Sequence, residues 1–124
     1  MVTSRRQPAE KPVEWVAGAL DDLRACPDDV QDTFGYAIDL AQHGGRHPAA
    51  KPMKGHLRDV VEVIAGDRGS TWRAMYTAAM GGVVYVLHVF QKKSPHGIRT
   101  PRHELDLIVR RLTAARRHHW EHYA

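Results

Sequence analysis

A chain of 124 residues, 43% hydrophobic and 26% charged, has the size and apolar content of one globular domain. Its net charge of +4 is unevenly spread: ten Lys/Arg face four Asp/Glu from Val63 onward, against eight and ten before it. No apolar run approaches the roughly 20 residues that span a bilayer, the opening "MVTSRRQPAEKP" lacks the apolar block of a secretory signal, and the lone Cys26 excludes an internal disulfide framework, so a cytoplasmic, bacterial-type protein with no membrane partner is expected.

Residues 1–12 read as a polar, flexible tail, and 13–124 as a single domain. In "PVEWVAG" the alternation of Val13, Trp15 and Ala17 with Glu14 and Val16 predicts a short strand, and "ALDDLRAC" adds a turn or two of helix before Pro27. "PDDVQDTFGYAIDLAQHGG" is an amphipathic helix. Asp28 or Asp29 is its expected cap, Val30, Phe34, Ala37, Ile38 and Ala41 form its apolar stripe, and Gly44 and Gly45 stop it. Gly35 inside that helix suggests close packing. "RHPAAKPMKGHLRD" reads as a loop punctuated by Pro48, Pro52 and Gly55.

Three strands follow, "VVEVIAG", "TWRAMYTAA" and "VVYVLHVFQ", joined by "DRGS" and "MGG", the short Gly-bearing links of antiparallel hairpins. "TPRHELDLIVRRLTAARRHH" closes the chain as a helix, with Thr100 expected as cap and Pro101 at its first position. The order is that of an α+β sandwich with helices on one face of a mainly antiparallel sheet, the other face partly open to a ligand.

Strand side chains repeat every two residues, so Arg73 and Met75 oppose Trp72, Ala74 and Tyr76, while His88, Phe90 and Lys92 share a face. Arg73 beside a strand bearing His88 and Lys92 would line a concave, cationic surface. The structural alternative pairs Arg73 with Glu62 and makes His88 a satisfied core histidine. Lys51 and Lys54 in "KPMKG" gain weight only if their loop folds over the same face; Lys93, Arg99 and Gln91 are further candidates for contacts with a polyanion. His118 and His122, spaced i, i+4, match a metal-binding spacing without a third ligand. His and Tyr side chains near the C-terminus could instead reach back to the concave face. No nucleotide-binding loop, zinc spacing or GxSxG elbow occurs, and no carboxylate cluster suits two-metal chemistry.

Three motifs, "KPMKG" before the meander, "WRAMY" on its middle strand and "YVLHVFQKKS…TPRHELDLIVRRL" at the end, together with "VEWV" and "FGYAIDLAQHG", resemble the RelE/HigB superfamily of type II toxins, closest to its phage-related HigB-like branch. The resemblance covers roughly Val13 to Leu112. It implies a RelE/ParE-like curved, mainly antiparallel sheet, an N-terminal strand plus three-stranded meander, with N-terminal helices and a C-terminal helix packed on it. It also implies a metal-independent mRNA endoribonuclease without cofactors, acting on mRNA free or within the ribosome and neutralised by a helix-turn-helix antitoxin. In that chemistry the ribose 2′-hydroxyl attacks the adjacent phosphate, leaving a cyclic phosphate and a 5′-hydroxyl. The resemblance places Lys54, Arg73, Lys92 and His88 in catalytic positions and Lys51, Lys93, Arg99 and Gln91 along the RNA. Where many relatives carry a second arginine after the strand glutamate, Glu62 is here followed by Val63 and Ile64. The alternative on the same fold is a ParE-like toxin that inhibits DNA gyrase by protein binding.

Overall fold

The computed structural model describes residues 10–92 and 99–124. Strand β1 (Val13–Trp15) leads into helices α1 (Ala19–Arg24) and α2 (Asp28–Gln42). Strands β2 (Ala50–Pro52), β3 (Val60–Asp67), β4 (Ser70–Thr77) and β5 (Val84–Lys92) follow, and helix α3 (Arg102–His122) ends the order. Together the strands form one five-stranded sheet in the order β1-β5-β4-β3-β2. Only β1, which pairs with β5, is parallel.

Local sequence explains most of these boundaries. Helix α2 ends in a Schellman arrangement: Gly44 takes φ +83°, its N–H donates to the Ala41 carbonyl, and the Gly45 N–H donates to that of Leu40. At its start, however, the N-cap is Pro27 and no side chain caps the helix. Asp28 and Asp29 instead place negative charge in the first turn, where the helix dipole favours it. Gly35 has open space where a Cβ would stand, so close packing is not the reason for it. Arg68 and Gly69, both at positive φ, make the two-residue turn between β3 and β4.

Two features depart from the sequence reading. Part of the loop before the meander is strand β2, whose Lys51 pairs with Glu62 and whose Pro52 pairs with Val61 at the sheet edge. The helices also occupy both faces rather than one. Val30, Phe34, Ala37 and Ile38 of α2 pack with Val61, Val63, Ala74 and Val86 on one side. Ile108, Leu112 and Ala115 of α3 pack with Met75, Tyr85 and Leu87 on the other. Each fully buried Val, Leu, Ile or Phe side chain is worth about 1.5–3 kcal/mol, so both layers are needed to hold a sheet of this size. Of the predicted tail, residues 1–9 lie outside the described residues. Lys11 is tied down, its N–H donating to the Gln42 carbonyl and its own carbonyl accepting from Gln42 Nε2.

Candidate functional site

On the α3 side of the sheet a cavity of about 380 Å³ opens between β2, the turn after it, β3, β4 and the start of α3. Its lining includes Lys51, Lys54, His56, Glu62, Arg73, Arg99 and Thr100. Cross-strand register places the central residues. Glu62 stands opposite both Lys51 and Met75, and Arg73 stands between Ile64 and Phe90, so all of these side chains share one face. Gly55, at φ +66°, turns the chain sharply beside Lys54 and starts the single 3-10 turn that carries His56.

At the cavity floor Arg73 donates to Glu62 at 2.5 Å, with the two side chains 6% and 8% exposed. The Thr100 hydroxyl accepts from Arg73 at 3.3 Å and donates to Glu62 at 3.5 Å. Thr100 is therefore part of this cluster rather than the cap of α3, whose N-cap is Pro101 without a side-chain bond. Lys51, Lys54 and Arg99 are exposed at the rim, and among the described residues none has a carboxylate partner. The arrangement is a buried, charge-compensated guanidinium beneath a ring of open cations.

Lys92 lies on the same face as Arg73, at the register position opposite Thr71, but does not line the cavity. Burial and then the neighbouring Arg73 charge lower its pKa from the ordinary 10.5, while Glu62 offsets part of the effect. Gln91 pairs with Trp72, whose side packs towards α1 and α2, so it points away from the site. Lys93 lies outside the described residues.

His88 belongs to the core. It is 6% exposed, stacks on Phe90 with ring centroids 4.8 Å apart, and is engaged at both nitrogens. Arg111 can only donate, so its 3.1 Å contact makes Nδ1 an acceptor and leaves Nε2–H to donate to Glu104 at 3.2 Å. Burial pushes the His88 pKa down from 6.5; Glu104 works against this and Arg111 adds to it. The structural alternatives stated for Arg73 and His88 are thus both present in the fold.

The C-terminal His and Tyr residues do not reach this cavity. His118 meets the Tyr85 hydroxyl at 2.9 Å and stacks on His122, and Tyr123 donates to Glu14 at 2.8 Å. Of these, His118 lines a separate space of about 250 Å³ between β1, Tyr85 and α3. Burial, reinforced by the nearby Glu14 charge, pushes the Tyr85 hydroxyl up to about 12, keeping it neutral. His56 and Thr100 are cavity residues that the sequence does not mark as such: Thr100 has the form of a helix cap, and His56 is signalled only by the turn at Gly55 beside it.

Among comparisons with known proteins, residues 21–113 match the family of phage-derived Gp49-like proteins. No curated protein matches the chain. A solved structure, the toxin–antitoxin complex RelBE2 from Mycobacterium tuberculosis, is similar at 20% identity with a TM-score of 0.47, covering 68% of this chain and 100% of that one. No helix among the described residues is long and apolar enough to cross a membrane.

Proposed function

The chain belongs to the family of phage-derived Gp49-like proteins, and we propose that it is the toxin of a toxin–antitoxin pair, an endoribonuclease that cuts mRNA without a metal ion. The observation that carries this reading is the convergence of Lys51, Lys54, Arg73 and Arg99 on one cavity, with Lys92 next to Arg73. A protein-binding face has no need for that many cations around a space that holds a phosphate and its flanking ribose. The RelE/HigB-like motifs "KPMKG", "WRAMY" and "YVLHVFQKKS" supply Lys51, Lys54, Arg73 and Lys92 among these.

In the proposed reaction Lys92, whose pKa burial and the Arg73 charge lower, takes the proton of the ribose 2′-hydroxyl. The 2′-oxygen forms a bond to phosphorus as the bond to the 5′-oxygen breaks. Lys54, as an ammonium ion, returns a proton to that leaving oxygen. Arg73 stabilises the charge that builds on the phosphoryl oxygens, for which a planar guanidinium is suited. Lys51 and Arg99 at the rim hold the flanking phosphates. His88 serves through packing, holding the end of β5 against α3. A cognate helix-turn-helix antitoxin and mRNA, free or on the ribosome, are the partners of this reading.

The test is expression of the protein with and without its neighbouring open reading frame, followed by primer extension on a reporter transcript. Cleavage that leaves a 2′,3′-cyclic phosphate, is retained in chelator and is lost in Lys54→Ala supports the reading. Growth arrest with intact transcripts refutes it, and inhibition of gyrase supercoiling by the purified protein would then point to the ParE-like alternative.

A further inference from the structure

Helix α3 holds five of the chain's arginines, and the fold uses three of them. Arg102 faces Asp106 at 3.6 Å, Arg116 meets Asp59 at 3.3 Å, and Arg111 donates to the Leu87 carbonyl and to His88. Arg110 and Arg117 are exposed, and neither has a hydrogen-bond or ion-pair partner among the described residues. They are seven residues apart, which on an α-helix returns to within about 20° of the same direction and separates them by about 10 Å along the axis. Three residues further on the same side is Trp120, 76% exposed and the most open large hydrophobic among the described residues. Between them lie the small exposed residues Thr113 and Ala114, which leave the ridge low and accessible.

The geometry points to a second RNA-contacting element: Arg110 and Arg117 bind successive phosphates of single-stranded RNA leaving the cavity, and Trp120 stacks on one of its bases. This inference rests on the RNA reading above and extends it from the scissile phosphate to the flanking strand. A line of cations ending in an aromatic face is what a single strand requires, because the backbone is tracked by charge and every base offers a π surface. The link to the cavity runs along the helix: Leu105 in the first turn of α3 lines it, and Arg110 follows about 7.5 Å further along the axis and about 140° around it, on the outer side that a strand leaving the cavity would cross. A protein partner fits less well. Trp120 stands among Arg116, Arg117 and Glu121, and the exposed Tyr123 three residues on is engaged with Glu14 and stacked on His119, so no exposed aliphatic side chain adjoins Trp120 on the helix to widen an apolar centre.

The experiment measures binding of the full chain to fluorescent, fully 2′-O-methylated RNA, which cannot be cut. A trinucleotide that fills only the cavity is compared with a much longer single strand, across a salt series. We expect Arg110→Gln/Arg117→Gln to weaken the long strand at least tenfold and to lower its salt slope by about 1–2, leaving the trinucleotide unchanged. Trp120→Ala should weaken the long strand about tenfold with its salt slope retained. An Arg24→Gln/Arg68→Gln control, which removes the same charge elsewhere, should do neither. The inference is overturned if the ridge variants bind long RNA as the wild type does, or if the control matches them. It is also overturned if those variants lose only a co-purifying protein partner. Cleavage is scored separately on unmodified RNA, so wild-type protein that binds through the ridge but never cuts refutes the nuclease reading and leaves this one standing.

Discussion

Breaking the Glu62–Arg73 pair from one side should destabilise the protein far more than removing both partners. The two side chains are 8% and 6% exposed and in direct contact, so solvent screening is slight. Arg73→Met leaves the Glu62 carboxylate buried with only the weak Thr100 contact, a loss of about 3–5 kcal/mol. In Glu62→Leu/Arg73→Met the new side chains meet Ile64, Met75 and Leu105, which are apolar neighbours on the same face. Replacement of a buried pair by apolar residues of similar size is often neutral, so most of the single-variant loss should return, a coupling of roughly 2–4 kcal/mol. Urea unfolding followed by circular dichroism reads this directly. With m near 1–3 kcal/mol per M, the single variant's midpoint falls by about 1–5 M and the double variant's recovers most of that. A double variant as unstable as the sum of the two singles would refute the reasoning. Both variants should lack RNase activity, and only the double one makes that loss a statement about chemistry rather than folding.

The remaining predictions concern pH, the loop and the last strand. Because the Lys92 pKa is lowered in the fold, the rise of kcat/KM with pH should level off below the ordinary lysine value of 10.5, and Lys92→Ala should abolish that limb and reduce activity at least a hundredfold. An unchanged profile would remove Lys92 from the reaction. For His88 the folded pKa lies below the unfolded 6.5. The unfolded chain therefore binds the extra proton first, and the stability contributed by His88 is complete above pH 6.5 and lost as pH falls through the folded value. Thermal melts should show His88→Gln with a flatter dependence than wild type across that window. Gly55 has space for a Cβ but a φ of +66°, so Gly55→Ala should cost about 1 kcal/mol of stability while displacing Lys54 enough to lower cleavage by a larger factor. Equal losses in stability and activity would contradict the loop's role in aiming Lys54.

Local chemistry made the meander and α2 legible: Gly-bearing links divide the apolar stretch into strands, and a Gly pair ends the helix. What failed was chemistry that depends on distant partners. Thr100 before Pro101 has the form of a cap, and nothing nearby in sequence indicates that its hydroxyl bonds Glu62, 38 residues earlier. Strand β2 looks like loop in the sequence because three residues ending in Pro52 carry no strand periodicity. It exists because β3 offers an edge on which a missing N–H is tolerated. The apolar stripe of α3 was clear, but a stripe states that a helix packs and not which sheet face receives it. Alternation groups Arg73 with Met75 on β4 and His88 with Lys92 on β5, but that the two groups share a face depends on the register between the strands. That Lys54 and Arg99 also reach the cavity depends on a turn and a helix start whose paths follow from packing alone.

Strand β5 is irregular, and its irregularity connects the core histidine to the site. Val84 and Val86 face α1 and α2, while Tyr85 and Leu87 face α3. Uninterrupted alternation from Val86 would send Phe90 and Lys92 to the α1–α2 side and turn Gln91 towards Arg73. The register instead slips: Tyr76 pairs with Val86 and Met75 with His88, leaving Leu87 as an extra residue. Leu87 and His88 therefore both face α3, and the strand beyond them is reversed, bringing Lys92 beside Arg73. A bulge leaves backbone polar groups without ladder partners, and here Arg111 supplies one, donating to the Leu87 carbonyl at 2.9 Å while also holding His88 Nδ1. The buried His88, Arg111 and Glu104 group thus acts at a distance on the proposed chemistry. By stabilising one surplus residue, it determines that the strand presents a lysine, and not a glutamine, to the arginine at the cavity floor.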